Sequence, residues 1–452
     1  MAKISLINLR KLYGAYRWDA ECYEPDVLRD ENALAHFRTV KLGDIAYITD
    51  GQHGYHEVDE ESAVRHITAQ CVEGGVVTDT KADRLSKKTH DANPRSQLKA
   101  GDVLLSTAGT IGEAGVVCKD ILPANIDQDV ARIALNSDAP IDPNFLVAFL
   151  RSELGQFQCR RATTGQIQGH ISLAALREFE VPLLREREAT AALMKLGIAL
   201  RQMGVSTLAE AERILIEALG IGRFDLSPRL FYTRRISEIT TAGRLDAEYF
   251  SPRYQRVLKA LGKDGRCIRD VADLAERRFR PEELGKGASF HYIEIGSVRA
   301  DGLADAEVIE ASEAPSRAQW IVEPGDVVTS TVRPIRRLSA LIAREQSGYV
   351  CSSGFAVLRP KEGPHGIEAE VLLTYLRLPL ICEILDLHTT ASMYPAISTA
   401  RLMNIPVAVP NQSVRDEIIS KVRSAIAARA EATRLLDEAK AIIERAVLSG
   451  SA

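Results

Sequence analysis

Residues 169–184 read GHISLAALREFEVPLL, and residues 395–410 read PAISTARLMNIPVAVP. Ile171-Ser172 matches Ile397-Ser398, a step of 226 from 171 to 397. At that step Leu176 falls on Leu402, Phe179 on Ile405 and Val181 on Val407. The same step lays FLVAFLR (145–151) on VLLTYLR (371–377). Further upstream KAGDVLLST (99–107) matches EPGDVVTST (323–331), at a step of 224 from 101 to 325. RHITAQCVEGGVV (65–77) resembles HYIEIGSVRADGL (291–303), and WDAECYEP (18–25) resembles LDAEYFSP (245–252). All pairs run in one order, so the chain is two tandem copies of a unit of about 225 residues.

Each copy has a front and a back of different kinds. The front carries short β-branched and aliphatic runs between turn residues, with Gly-Asp opening GDVLLST and GDVVTST. A helix follows, started in the first copy by Asp142 as N-cap and Pro143 in the first turn. Pro182, Pro406 and Pro410 then stop regular structure. The backs, 186–219 and 411–448, lack proline and are rich in Ala, Leu, Glu and Arg. In the second, Ile418, Val422, Ala425, Arg429, Ala432, Leu436, Ala439, Ile443 and Ala446 step by four and three, a heptad seam blemished by Arg429. In the first, Leu193, Leu196, Leu200 and Met203 form a seam that slips at Gly204, and Leu208, Ala211, Leu215 and Ala218 resume it. Two such helices predict a coiled-coil pair.

Composition sets outer limits. The 452 residues allow two or three domains, and 46% apolar with 26% charged residues is a globular balance. A net charge of −4 argues mildly against a nucleic-acid binder working alone. Seven scattered cysteines, never spaced C-x-x-C, predict reduced thiols rather than a zinc or disulfide framework. The amino-terminal residues have no continuous apolar core, and no run reaches the roughly 18–20 residues of a membrane span. The expectation is a cytoplasmic protein with no membrane partner.

The ordered duplication, the long helices, the opening motif Asp246-Ala247-Glu248-Tyr249-Phe250-Ser251-Pro252 and the paired I-S-x-x-x-L exits resemble the DNA-specificity (S) subunit of type I restriction-modification systems. The resemblance covers essentially the whole chain. It implies an α/β (α+β) fold in which two target-recognition domains alternate with two long helices paired as an antiparallel coiled coil. The segments would be 1–185 (first recognition domain), 186–222 (first spacer helix), 223–410 (linker and second recognition domain) and 411–452 (second spacer helix). Each recognition domain would read half of a split double-stranded DNA site. The helices would fix the gap and dock two adenine-N6 methyltransferase (M) subunits, joined by restriction/translocase (R) subunits. No cofactor is expected on this chain; S-adenosylmethionine belongs to the partner methyltransferase. Two other readings stay open: a recognition subunit of another DNA-modifying assembly, type IIB-like, and a stand-alone DNA adenine methyltransferase. A purely structural coiled-coil scaffold would leave the two dissimilar α/β units unexplained.

Catalytic constellations are weak. Asp142-Pro143-Asn144-Phe145 approaches the [DNS]-P-P-[YF] grip of amino-methyltransferases, but its counterpart is Glu368-Ala369-Glu370-Val371, and a helix cap explains it. Gly109 to Gly115 is a glycine-rich turn without G-x-G-x-x-G spacing, and its counterpart is Val332-Arg333-Pro334-Ile335-Arg336-Arg337. No phosphate-binding G-x-x-x-x-G-K-[ST] occurs, and His53 and His56 have no third metal ligand at useful spacing. No catalytic or metal residue is therefore expected.

What remains suits DNA. Arg277, Arg278 and Arg280 surround Phe279, and Arg333, Arg336 and Arg337 follow a strand. Arg160 and Arg161 precede Thr163, Thr164, Gln166 and Gln168, while Lys87 and Lys88 suit phosphates and Thr110 lies on the glycine-rich turn. Arginine pairs with guanine and glutamine with adenine, while Ser and Thr contact phosphates.

Overall fold

The Gly-Asp turn is built the same way in both copies. Gly101 and Gly325 take φ values of +90° and +87°, which suit glycine. The next carboxylate turns back to accept a backbone N–H: Asp102 from Lys99 at 2.7 Å, Asp326 from Glu323 at 2.8 Å. Each also holds an arginine of the adjacent strand, Arg132 Nε at 2.6 Å and Arg359 Nε at 2.8 Å. Both aspartates are buried, where an unpaired carboxylate would be costly.

The computed structural model describes residues 6–7, 23–51, 54, 57–79, 81–165, 169–227, 229–275, 277–285, 287–299, 302–363, 366–390 and 394–448. Residue packing groups the chain into two units, Met1–Arg201 with Ala430–Ala452, and Gln202–Arg429. The division cuts through both long helices, Arg187–Leu219 and Gln412–Leu448. Packing therefore assigns part of each helix to each unit.

Inside the first unit a sheet runs in the order Ala46–Asp50, Val130–Leu135, Val103–Ser106, Ala114–Val116, Gly75–Val77, Val72–Glu73. Inside the second, Ala272–Leu274, Phe355–Pro360, Val327–Ser330 and Ser339–Leu341 repeat its first four strands in the same antiparallel order. A second sheet also recurs. Val64–Ile67 lies parallel to Ala124–Ile126, as Ser289–Ile293 does to Val350–Ser352. The apolar helices Pro143–Arg151 and Ala369–Arg377 pack into the respective cores. The quoted exit segments then close each unit. Ser172 and Ser398 cap one-turn helices, accepting backbone N–H groups at 3.1 and 3.3 Å. Phe179 and Ile405 accept the N–H of Leu42 and Ile268 at 2.8 and 3.0 Å.

The long helices pack together within each unit. In the first, Met194 and Ile198 share a core with Leu436, Ala439, Ile443 and Val447. In the second, Leu208, Ala211 and Leu215 meet Ile418, Val422 and Ala425. There Gly204 faces Ala425 and Glu210 binds Lys421 at 2.7 Å, so partner numbers fall as helix numbers rise, the antiparallel sense. Two details of the predicted seam are corrected. Leu196 and Met203 are exposed, and Gly197 and Gly204 occupy the contact instead. A Cβ on Gly197 would lie 2.9 Å from the Leu436 side chain, so this close approach excludes larger residues. Arg429, the blemish, binds Asp305 at 3.1 Å and so ties the helix to the loop before the strand Glu307–Glu310. Among the described residues no helix is long and apolar enough to cross a membrane.

In the first unit Arg201 plays the corresponding part. Its Nη1 donates to the Gly74 carbonyl at 3.1 Å, and Gly74 takes φ +63°. A Cβ there would fall on the guanidinium. Gly74→Ala should thus combine left-handed strain with loss of this tie and lower stability by about 2 kcal/mol. Denaturant unfolding checks this, with the Gly101→Ala protein showing strain alone, since a Cβ at Gly101 meets nothing within 4 Å.

Candidate nucleic-acid interface

Three segments meet at one corner of each unit. In the first, the strand end at Thr107 donates its N–H to the Asp129 carbonyl at 2.8 Å and accepts the N–H of Ile171 at 3.0 Å, while Ala108 bridges His170. In the second, Thr331 donates to Gly354 at 2.8 Å and accepts from Ile397 at 2.9 Å, while Val332 bridges Ala396. Strand end, sheet turn and the stretch before the exit motif are thus locked together by backbone bonds that do not depend on side-chain identity.

The side chains on this frame differ between copies. The first corner carries Thr110, Thr164 and His170, all exposed. Thr110 Oγ1 donates to the Ala69 carbonyl at 3.2 Å and Thr164 Oγ1 to the His170 carbonyl at 3.3 Å. With its proton committed, each hydroxyl is left as an acceptor, suited to a base amino group rather than a phosphate oxygen. Burial pushes the Asp127 carboxyl in the adjoining turn up to about 6. Thr163 donates to the Cys159 carbonyl at 2.7 Å, and Gln166 and Gln168 lie outside the described residues. The second corner carries Arg333, Arg336 and Tyr394. Arg333 donates its N–H to the Pro395 carbonyl at 2.8 Å and sets its guanidinium 5.7 Å from the Tyr394 ring centre. Arg336 is exposed, and Tyr394 is 70% exposed.

Two predicted contacts are corrected. Arg161 is buried, its side chain 6% exposed and its Nη1 2.7 Å from Glu31. On the helix Glu153–Ala162, consecutive residues point about 100° apart, so the Arg160-Arg161 pair cannot face one surface. Arg337 turns inward: its Nη2 lies 2.5 Å from Glu212 of the long helix and its Nε donates to the Arg377 carbonyl at 2.8 Å. Arg377 in turn lies 3.4 Å from Glu212, so Arg337 anchors the loop to the helix.

The other candidates are surface groups with neighbours of opposite charge or aromatic character. Arg160 lies 3.7 Å from Glu153, in a cleft also lined by Glu24, Asp26, Asp30 and Arg29, where carboxylates outnumber the arginines. Lys87 binds Asp91 at 3.1 Å one turn along a short helix, and Lys88 beside it is exposed. Arg277 pairs with Glu323 at 3.0 Å and Arg280 with Glu283 at 3.2 Å. Arg278 lies 5.8 Å over Trp320, and Phe279 packs 4.5 Å from Phe290. His53 and His56 lie outside the described residues.

Sequence reasoning missed Tyr394 and the stretch around it. A signal was present: Thr389-Thr390 repeats Thr163-Thr164 at the step of 226. It also missed a cleft of about 480 Å³ lined by Tyr249, Lys259, His388, Arg401 and Asn404. Burial there, with the Arg244 and Arg401 cations, holds His388 down at about 4. The near-motif Asp142–Phe145 resolves as a cap: Asp142 accepts the Asn144 N–H at 2.7 Å and Phe145 is fully buried.

No family model and no curated protein matches the chain. Solved structures similar to it include the S subunit of a type I restriction-modification system from M. genitalium, at 13% identity and TM-score 0.40, covering 91% of this chain and 95% of that one. The HsdS subunit from Thermoanaerobacter tengcongensis is similar at 17% identity and TM-score 0.29, covering 91% and 96%. A chain from a study of assembly and conformational transition of the type I R-M system gives the same identity and TM-score, covering 91% and 97%.

Two outcomes follow from this geometry. Glu212→Ala leaves Arg377 buried without its carboxylate and should cost about 3 kcal/mol in denaturant unfolding, whereas Arg336→Ala should leave stability within about 0.5 kcal/mol. For His388 the unfolded chain takes up a proton below about 6.5, the folded chain only near 4. Its contribution is therefore full above pH 6.5 and lost as pH falls toward 4. His388→Gln should flatten the fall in melting temperature across that window.

Proposed function

We propose that this chain is the non-catalytic DNA-specificity subunit of a type I restriction-modification assembly. The carrying observation is the corner built twice on one backbone plan with different side chains. A pair of such corners suits a two-part DNA site whose halves differ in sequence. Backbone hydrogen bonds tie these loops to the strand ends, which favours reading over reshaping. The long helices supply the second element. Thirty-seven residues in Gln412–Leu448, rising 1.5 Å each, give a rod of about 55 Å. That is on the order of one and a half turns of duplex, at about 34 Å per turn. In this reading the antiparallel pair sets the gap between half-sites and offers its outer faces to two adenine-N6 methyltransferase subunits, with restriction/translocase subunits joining that core. S-adenosylmethionine would be bound by the methyltransferases. The net charge of −4 fits a subunit whose partners contribute much of the clamp on DNA.

The test is to co-express the chain with its methyltransferase partner and map N6-methyladenine across genomic DNA by single-molecule sequencing. Methylation should fall at a gapped, two-part motif and vanish without this chain. An ungapped motif, or one independent of the chain, would refute the proposal. Inserting one heptad into both long helices should change the permitted gap while leaving both half-sites intact.

A further inference from the structure

The cleft of about 480 Å³ in the second unit has the size of a small-molecule pocket. Three separate elements supply its charged and titratable groups. Lys259 comes from the helix Pro252–Leu261, His388 from the end of the helix Pro379–Leu387, and Arg401 from the one-turn helix Thr399–Met403. Leu258 and Ile405 add apolar wall, and no carboxylate lines the cleft among the described residues.

The groups around it are set to donate. Arg244 is neutralised by Asp246, with Nε 2.8 Å from one carboxylate oxygen and Nη2 2.7 Å from the other. Its Nη2 also donates to the Leu387 carbonyl at 2.6 Å, and its Nη1 lies 3.4 Å from His388 Nδ1. Arginine only donates, so Nδ1 accepts and the neutral ring carries its hydrogen on Nε2. That hydrogen has no acceptor among the described residues. Tyr249 packs edge-on to the ring at 5.4 Å and takes the Arg244 guanidinium at 4.3 Å, which holds all three in place. Arg401 uses Nη1 on the His388 carbonyl at 3.0 Å. Its other side-chain nitrogens and Lys259 Nζ meet no carboxylate among the described residues. Lys87, Arg160, Arg277 and Arg280, by contrast, each have a carboxylate within reach.

Burial, Arg244 and Arg401 hold His388 down at about 4, with Asp246 acting the other way. An imidazole kept neutral still donates from Nε2 without adding a third charge. Two cations and an imidazole N–H around one cleft suit a tetrahedral oxyanion, whose oxygens accept from several directions, whereas a carboxylate has two oxygens in one plane. The first copy builds the same exit without these groups. Lys259 corresponds there to Asn32 (259 − 32 = 227), and at 226 His388, Arg401 and Asn404 correspond to Ala162, Ala175 and Glu178. The shared fold therefore does not require the cations.

We propose that this cleft is a phosphate-binding site of the second unit, absent from the first, with Lys259, Arg401 and His388 Nε2 as donors. A phosphorylated small molecule and the backbone of a duplex both carry that group, and the test separates them. The proposal goes beyond the specificity-subunit reading, and its first arm needs neither DNA nor a partner.

In that arm the full chain is titrated calorimetrically with inorganic phosphate at constant ionic strength set with sodium chloride. Wild type should bind saturably. Lys259→Gln and Arg401→Gln should each weaken binding roughly tenfold, the loss of one charge-assisted contact. Lys119→Gln, which removes an exposed lysine of the first unit, should not. Lys259 is exposed, so its variant keeps the fold and decides the matter if Arg401→Gln does not fold. The His388 ring, followed by NMR, should titrate near 4 alone and at higher pH with saturating phosphate, because bound negative charge favours the imidazolium. In the second arm the chain with its methyltransferase partner is titrated with duplex DNA over a range of salt. If the backbone supplies the phosphate, Lys259→Gln lowers the slope of log affinity against log salt by about one and Lys119→Gln does not. An unchanged slope with weakened phosphate binding assigns the site to a small molecule. No saturable phosphate binding together with an unchanged slope overturns the proposal. So does phosphate binding that is equal in wild type and both cleft variants, or that leaves the His388 midpoint unmoved.

Discussion

Each unit's core is completed by helix segments that belong to other parts of the chain. Leu436, Ala439, Ile443 and Val447 lie near the carboxyl end, yet they share one core with Phe145, Leu176 and Val181 of the first unit. Leu208, Ala211 and Leu215 do the same for the second unit alongside Val371, Leu402 and Val407. The exit segments therefore serve a core that strands and short helices alone do not finish. Burial of this apolar surface is the dominant stabilising term, and it forces the two long helices to pack with glycine at their closest approach. Arg201, Arg429 and Glu212 add polar ties from the helices to Gly74, Asp305 and Arg337, each within its own unit.

Duplication and divergence act on different atoms. What the copies share is backbone: the Gly-Asp turn, the strand order, the serine caps, and the bonds from Thr107 and Thr331 that tie each corner. What they do not share is the chemistry displayed there, threonine hydroxyls and a histidine in one and arginine with tyrosine in the other. Backbone hydrogen bonds tolerate side-chain change, so a frame of this kind can be kept while the side chains displayed on it vary.

The fold was legible because burial and turn geometry constrain residue type strongly. Ile171-Ser172 and Ile397-Ser398 had to recur, since one residue fills a core and the next caps a helix. The interface was less legible, because arginine satisfies several roles with one side chain. Arg160 and Arg161 are adjacent in sequence and opposite in burial, a consequence of helical rotation. Arg336 and Arg337 diverge for a related reason, since the left-handed turn at Arg337 sends its guanidinium toward Glu212. The seam of Arg187–Leu219 misled in the same way: its leucines suggested Leu196 and Met203, while the contact needed the smallest residue available.

By itself the sequence determined the duplication, the place of the strands and long helices, and the absence of a recognisable catalytic motif, because periodicity and turn chemistry are local properties. Only the tertiary structure decided which arginines face outward, how each unit divides the helices, and that Tyr394 stands beside Arg333. Those facts depend on contacts between residues far apart in the chain. Opposite Arg333 the deciding neighbour lies in the exit stretch, and opposite Arg337 it lies on the long helix.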